Sequence, residues 1–194
     1  MSGRNSISKN KDYNTPPHIL KAVREFFGGN IELDPCSNQF SMVGARVEWM
    51  LPTTDGLVQD WTPFRSIFVN PPYGKDRARG TSIYNWCSKA AETHDANSGC
   101  HVLMLIPVAT NTRHWKEIVF RKATHICFLS DTRLKFWENG KENKNGAPMA
   151  CAIVHFGKRG VLKNGVGVSF EDAFSQLGFN INLCERGGQG ELFL

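Results

Sequence analysis

Long hydrophobic runs are missing from this chain. The longest, HVLMLIPVA, is strand-length and broken by Pro107. It falls well short of the roughly 20 apolar residues of a membrane span. The N-terminus, MSGRNSISKNKDYNTPP, has no apolar stretch of the signal-peptide kind. A cytoplasmic protein with no membrane partner is the expectation. Paired cysteines are missing too. Cys36, Cys87, Cys100, Cys127, Cys151 and Cys184 are dispersed, with no CxxC spacing to signal a zinc or redox site. They read as reduced thiols packed as small hydrophobes. His94, His101, His114, His125 and His155 lack metal-ligand spacing, so no metal is expected. No segment repeats.

What is present suits one folded unit. A chain of 194 residues is long enough to bury a sizeable core, and 41% apolar content is ordinary for a globular protein. Residues 1–11 read as a disordered polar tail and 12–194 as a single domain, expected to be a monomer. The formal charge is +5, with a pI near 8.9. That balance suits a nucleic-acid partner without demanding one.

Strand and helix signals alternate. TPPHILKAVREFFGG reads as a helix with Thr15 as N-cap, prolines in the first turn and two closing glycines. NIELDPCS is a short strand ending at Asp34-Pro35, ARVEWM a second, and SIFVN a third. TSIYNWCSKAAETH and TRHWKEIVFRKA read as helices, HVLMLIP and HICFLS as buried strands. RLKFWENGKENKNGAPMACAIVHFG looks like a long hairpin with a polar tip from Asn139 to Gly146. EDAFSQLGFNINL predicts a helix followed by a strand. This order predicts an α/β fold with a mostly parallel central sheet and a C-terminal antiparallel hairpin strand. Ligands of such sheets bind beyond the carboxyl ends of the strands.

The telling strand end is Asn70-Pro71-Pro72-Tyr73. Two prolines stiffen the turn and remove backbone donors. An Asn side chain, a row of carbonyl oxygens and an aromatic face remain. Such a corner suits a flat molecule carrying an NH₂ group. Acceptors around an exocyclic amine take its hydrogens and steady the charge that develops when its nitrogen attacks.

On these residues the chain resembles S-adenosylmethionine-dependent amino methyltransferases, whose motif is [Asp/Asn/Ser]-Pro-Pro-[Tyr/Phe/Trp]. Four ordered stretches extend the likeness: DYNTPPHILKAV, IELDPCSN, DGLVQDW…VNPPYGK and RLKFWENG…APMACAIVHFG. Over roughly residues 12–157 the chain is similar to the phage and prophage DNA N6-adenine methyltransferases, a Dam-like family. The resemblance implies a Rossmann-like methyltransferase fold, S-adenosyl-L-methionine as cofactor and double-stranded DNA as partner, in a host cytoplasm if phage-encoded. It implies methyl transfer to the amine of an adenine flipped out of the duplex. Asn70, Pro71, Pro72 and Tyr73 would form the target-amine site. Asp34, Pro35 and Cys36 would lie by the methionine part of the cofactor, with Tyr13, Thr15 and Pro16 closing over it. Glu48 would take the ribose hydroxyls. Asp55 or Asp60 would contact the cofactor adenine. One departure stands out: DPCSNQFSMVGA replaces the glycine-rich turn that many methyltransferases carry after the first strand.

Plainer readings stand beside these. Pro-Pro-Tyr-Gly is also a rigid turn, or a ligand for proline-binding modules. Asp34-Pro35 is also a simple turn. Pro35-Cys36 matches the nucleophile of cytosine C5 methyltransferases, without that family's other motifs. Lys75, Arg77 and Arg79 form either a solvated loop or a phosphate contact beside the flipped base. Arg133 and Lys135 have the same two readings. Trp49, Trp61, Trp86 and Trp115 read as core. The same motif also serves enzymes acting on RNA adenine, cytosine N4 or a protein glutamine amide, and an inactive DNA-binding relative would keep the same pattern.

Overall fold

The computed structural model describes residues 13–131, 133–143, 146, 149–158 and 167–183. The tail predicted over 1–11, the residues after 183 with Cys184, and part of the 139–146 tip lie outside these. In chain order the elements are β1 (Tyr13–Asn14), α1 (Pro17–Phe27), β2 (Leu33–Asp34), β3 (Val47–Glu48), β4 (Ser66–Val69), α2 (Ile83–Ala96) and β5 (His101–Pro107). A π-helical turn, Trp115–Val119, runs into α3 (Phe120–Lys122). Then come β6 (His125–Leu129), β7 (Trp137–Glu138), β8 (Lys141–Glu142), β9 (Cys151–Phe156), α4 (Phe170–Phe174) and β10 (Gly178–Asn182).

The main sheet has seven strands in the order β10-β6-β9-β5-β4-β2-β3. β3, β2, β4 and β5 are joined by parallel pairs. β9 runs antiparallel to both β5 and β6, and β10 antiparallel to β6. Five strands therefore point one way and two the other. Alternation along the strands divides the core. Phe68, Leu103 and Leu105 face α1 and α4. Ile67, Val69, Val102, Met104 and Ile106 face α2 and the π-helical turn. Both faces are covered, so these strands are apolar throughout, as buried parallel strands must be.

Three readings change. The N-cap of α1 is Pro16, in extended conformation and without a side-chain cap bond, so Thr15 does not cap the helix. Pro at the helix start suits positions whose N–H would be orphaned anyway. The predicted long hairpin is split. Asn139 (φ 51°) and Gly140 (φ 73°) close β7 onto β8 in a two-residue turn. Such turns need left-handed residues, which Asn-Gly supplies. β9 instead enters the middle of the main sheet, because all six of its residues are buried and need cover on both faces. The short hairpin pairs with β1 as a separate three-stranded sheet. The helix predicted near Trp115 forms, but with a π-turn around that fully buried ring.

Three histidines gather at the end of the sheet opposite the strand ends that matter below. His155 stacks between His101 (ring centroids 5.2 Å apart) and His125 (5.5 Å), with Phe170 alongside. Burial holds the His101 pKa down to about 4 and His155 well below its usual value. His101 and His155 pack as neutral aromatics. Phe26 of α1 meets His155 edge-on at 5.0 Å and is fully buried. Phe26→Ala is expected to destabilise the protein by about 3–5 kcal/mol. Chemical denaturation measures it, and a cost under about 1 kcal/mol contradicts this packing.

Candidate functional site

The two proline-marked turns lie on neighbouring strands. Leu33 of β2 is in register with Ile67 of β4, so Asp34-Pro35-Cys36 and Asn70-Pro71-Pro72-Tyr73 leave the sheet side by side. One hydrogen bond ties them: the Cys36 thiol donates to the Asn70 carbonyl at 3.3 Å. Burial raises the Cys36 pKa well above the ordinary thiol value, and the Asp34 carboxyl nearby adds to it. A thiol held protonated and already donating is no nucleophile, which counts against the cytosine C5 reading.

Asp34 is 4% exposed. Its Oδ1 accepts from the Cys36 backbone N–H at 3.1 Å. Burial nevertheless raises its pKa to about 7, with the charge of Glu48 adding to the rise. Glu48 commits both oxygens to the following loop: Oε2 accepts from Ser37 Oγ at 2.7 Å, and Oε1 from Ser41 Oγ and Ala45 N–H, each at 3.2 Å. The loop that replaces the glycine-rich turn is thus shaped around one carboxylate.

A cavity of about 420 Å³ opens beyond these strand ends. Pro35, Cys36, Trp49, Asp55, Pro72, Arg79 and Trp86 are among its walls. Its size is that of a small-molecule site. Trp49 and Trp86, read from sequence as core, contribute flat apolar walls. Asp55 lines the cavity; Asp60 is exposed and accepts from the backbone N–H and hydroxyl of Thr62 instead. Gly56 was not singled out from sequence, yet it touches the Pro35 carbonyl so closely that an added Cβ would lie 1.9 Å from that oxygen. Only the spacing DG before the LVQDW segment hinted at it.

Asn70 and Tyr73 form a close unit. The Tyr73 hydroxyl lies 3.0 Å from Asn70 Oδ1 and 3.2 Å from the Leu105 carbonyl oxygen. The Tyr73 ring meets Phe136 edge-on at 6.0 Å, and Phe136 meets Tyr13 at 6.4 Å. Phe136 therefore brings the 133–138 segment, with exposed Arg133 and Lys135, to the Asn70 corner. Pro71 is buried, and Pro72 is exposed at the cavity.

The N-terminal segment reaches the same place. Asn14 pairs with Trp137 in register, and its side chain donates to Asn38 Oδ1 at 3.0 Å and to the Phe40 carbonyl at 2.8 Å. Thr15 and Pro16 are buried behind it, and Tyr13 is half exposed. Among the described residues, the buried Thr15 Oγ1 and Asn14 Oδ1 have no hydrogen-bond partner. Such orphans mark where a ligand or water completes the structure.

The basic loop divides in two. Lys75 and Arg77 are exposed. Arg79 turns inward and grips Asp55 through two donors, Nε at 3.1 Å and Nη2. An antiparallel bridge between Asp76 and Thr81 holds the loop shut. Of the sequence candidates, Pro35, Cys36, Asp55, Pro72 and Arg79 line one cavity. Asn70, Tyr73, Tyr13, Arg133 and Lys135 gather beside it through Phe136. Among the described residues no three His, Cys, Asp or Glu side chains group as a metal site, and no helix is long and apolar enough to cross a membrane.

The fold and this corner define a mixed α/β protein with a cavity and a proline-stiffened turn at adjacent strand ends. The chain belongs to the DNA N-6-adenine-methyltransferase (Dam) family, whose model matches residues 4–168. No curated protein and no solved structure matches it.

Gly56→Ala must push two backbone segments apart. A loss of about 1–3 kcal/mol is expected, read as a lower Tm and a changed tryptophan emission from the cavity walls. An unchanged Tm contradicts the close approach.

Proposed function

We propose that this chain is a site-specific DNA adenine N6-methyltransferase, built on a Rossmann-like methyltransferase fold and using S-adenosyl-L-methionine. The observation that carries the reading is the junction of the Asn70 corner with the cavity through the Cys36–Asn70 hydrogen bond. It sets an amine acceptor beside a small-molecule site. A donor and an acceptor of a transferred group need that adjacency.

The cavity fits the cofactor's chemistry. Trp49 and Trp86 offer flat faces for an adenine, and Asp55 an acceptor for its amine. Asp34 supplies a carboxylate for a cationic methionine end, and the orphaned Thr15 hydroxyl and Asn14 side-chain amide oxygen offer further polar contacts. Glu48 shapes the ribose side through Ser37. When bound, S-adenosylmethionine supplies a methyl group made electrophilic by a sulfonium.

The chain's own residues prepare the amine. Asn70 Oδ1 and the Pro71 carbonyl accept its two hydrogens, drawing the nitrogen lone pair out of conjugation. Pro71 and Pro72 keep these acceptors from relaxing, which is the preorganisation such stabilisation needs. Tyr73 contributes an aromatic wall. No covalent enzyme intermediate forms. A base within the duplex cannot reach this corner, so the adenine is turned out, at a cost of a few kcal/mol. Lys75, Arg77, Arg133 and Lys135 are exposed cations placed for phosphates around the open site. Arg79, engaged with Asp55, serves the cavity wall.

Purified protein, labelled cofactor and adenine-containing DNA test this reading, with RNA and a glutamine peptide as competing substrates. Label in N6-methyladenine of DNA is expected. Label only in RNA or peptide refutes the DNA assignment. Asn70→Ala should lower kcat by roughly 10²–10³ while cofactor affinity holds. Collapse of cofactor affinity with kcat preserved refutes the role of Asn70.

The raised pKa of Asp34 sets a pH dependence. Below about 7 the carboxyl is protonated and offers a cation nothing; above it the carboxylate is charged. Cofactor affinity should therefore rise from pH 6 to 8, by up to about tenfold per unit on the acid side, with proton release on binding. In the free protein the sign reverses. The folded state binds this proton more tightly than the unfolded chain, so that stability is lost as pH rises through about 7. Calorimetry in buffers of different ionisation enthalpy measures the first effect, and Asp34→Asn should flatten it.

A further inference from the structure

Asn70 ends in an amide with two unlike groups, and only its oxygen can accept from an amine. The Tyr73 hydroxyl sits between two acceptors, Asn70 Oδ1 at 3.0 Å and the Leu105 carbonyl oxygen at 3.2 Å. It has one proton to give and lone pairs with which to receive. With Oδ1 turned to the tyrosine, that oxygen already holds a hydrogen bond, and Nδ2 points the other way. A donor facing the target amine is the wrong group for the reaction.

A half-turn of the amide reverses this without loss of a bond. Nδ2 then donates to Tyr73 Oη, and the hydroxyl proton goes to the Leu105 carbonyl. Oδ1 is left free for the amine. The row from Asn70 Nδ2–H through Oη–H to the Leu105 oxygen also polarises the amide, which makes Oδ1 a better acceptor. We propose that the Tyr73 hydroxyl is a positioning group that selects which end of the Asn70 amide meets the target amine. This rests on the reading of the chain as an adenine methyltransferase.

The surroundings suit a fixed pivot. The Cys36 thiol anchors the Asn70 backbone, and Phe136 holds the Tyr73 ring edge-on. Leu105 lies within β5, fully buried, in register with Ile153 of β9. Burial pushes the Tyr73 pKa well above the ordinary phenol value, so the proton the pivot needs stays in place.

The test is a four-way comparison of wild type, Tyr73→Phe, Asn70→Asp and the double variant, by single-turnover methyl transfer to DNA and by cofactor titration. Tyr73→Phe keeps the ring and removes the hydroxyl. Its rate is expected to fall on the order of tenfold, the worth of one hydrogen bond, with cofactor affinity within about twofold. In the Asn70→Asp background the same change is expected to cost less than about threefold, because a carboxylate has two equivalent oxygens and needs no orienting. Equal losses in both backgrounds, or an undiminished Tyr73→Phe rate, overturn the proposal. Loss of cofactor binding in Tyr73→Phe makes the hydroxyl structural and also overturns it. A wild type that binds cofactor but transfers no methyl group to DNA adenine overturns the functional reading, and this proposal with it.

Discussion

β2 and β4 lie in parallel register, and their turns leave the same edge of the sheet joined by one thiol-to-carbonyl hydrogen bond. Nearly everything at the site follows from that pairing. It sets Asp34 and Asn70 on adjacent strand ends, each followed by residues that line the cavity. It also explains why the turns are proline-rich. Two turns held side by side at one sheet edge cannot wander, and proline removes the freedom in advance. Gly56 meets the complementary need, since the third loop comes too close to Pro35 for any side chain.

Charge at this edge is arranged by burial and by pairing in different measure. Asp34 is enclosed with one backbone donor and stays half protonated near neutrality. Glu48 has three donors and Asp55 an arginine, and both are partly open to solvent. A carboxyl buried with a single backbone donor is costly to keep, and groups so perturbed cluster at functional sites.

The small β1-β7-β8 sheet joins what the main sheet does not. Asn14 bonds the Asn38–Phe40 loop with its side chain and β7 with its backbone. Phe136 touches Tyr13 on one side and Tyr73 on the other. The N-terminal segment, the cavity loop and the basic 133–138 segment are one contact network. Arg79 adds the 75–81 loop through Asp55.

Local signals in the chain marked much of this. Periodicity gave α1 and α2, β-branched and apolar runs gave β4, β5 and β6, and Asn-Pro-Pro-Tyr marked a stiff strand end, because each rests on neighbours within a few residues. Sequence by itself determined the elements, the stiff turns and the family. It could not place β9, whose apolar run reads equally as a hairpin arm or as a central strand, since partners some fifty residues away decide. Nor could it turn Arg79 inward, keep Thr15 from capping α1, or set Asp55 and not Asp60 in the cavity wall. Those choices belong to tertiary structure, because a side chain's role at a site depends on which distant backbone the sheet brings beside it.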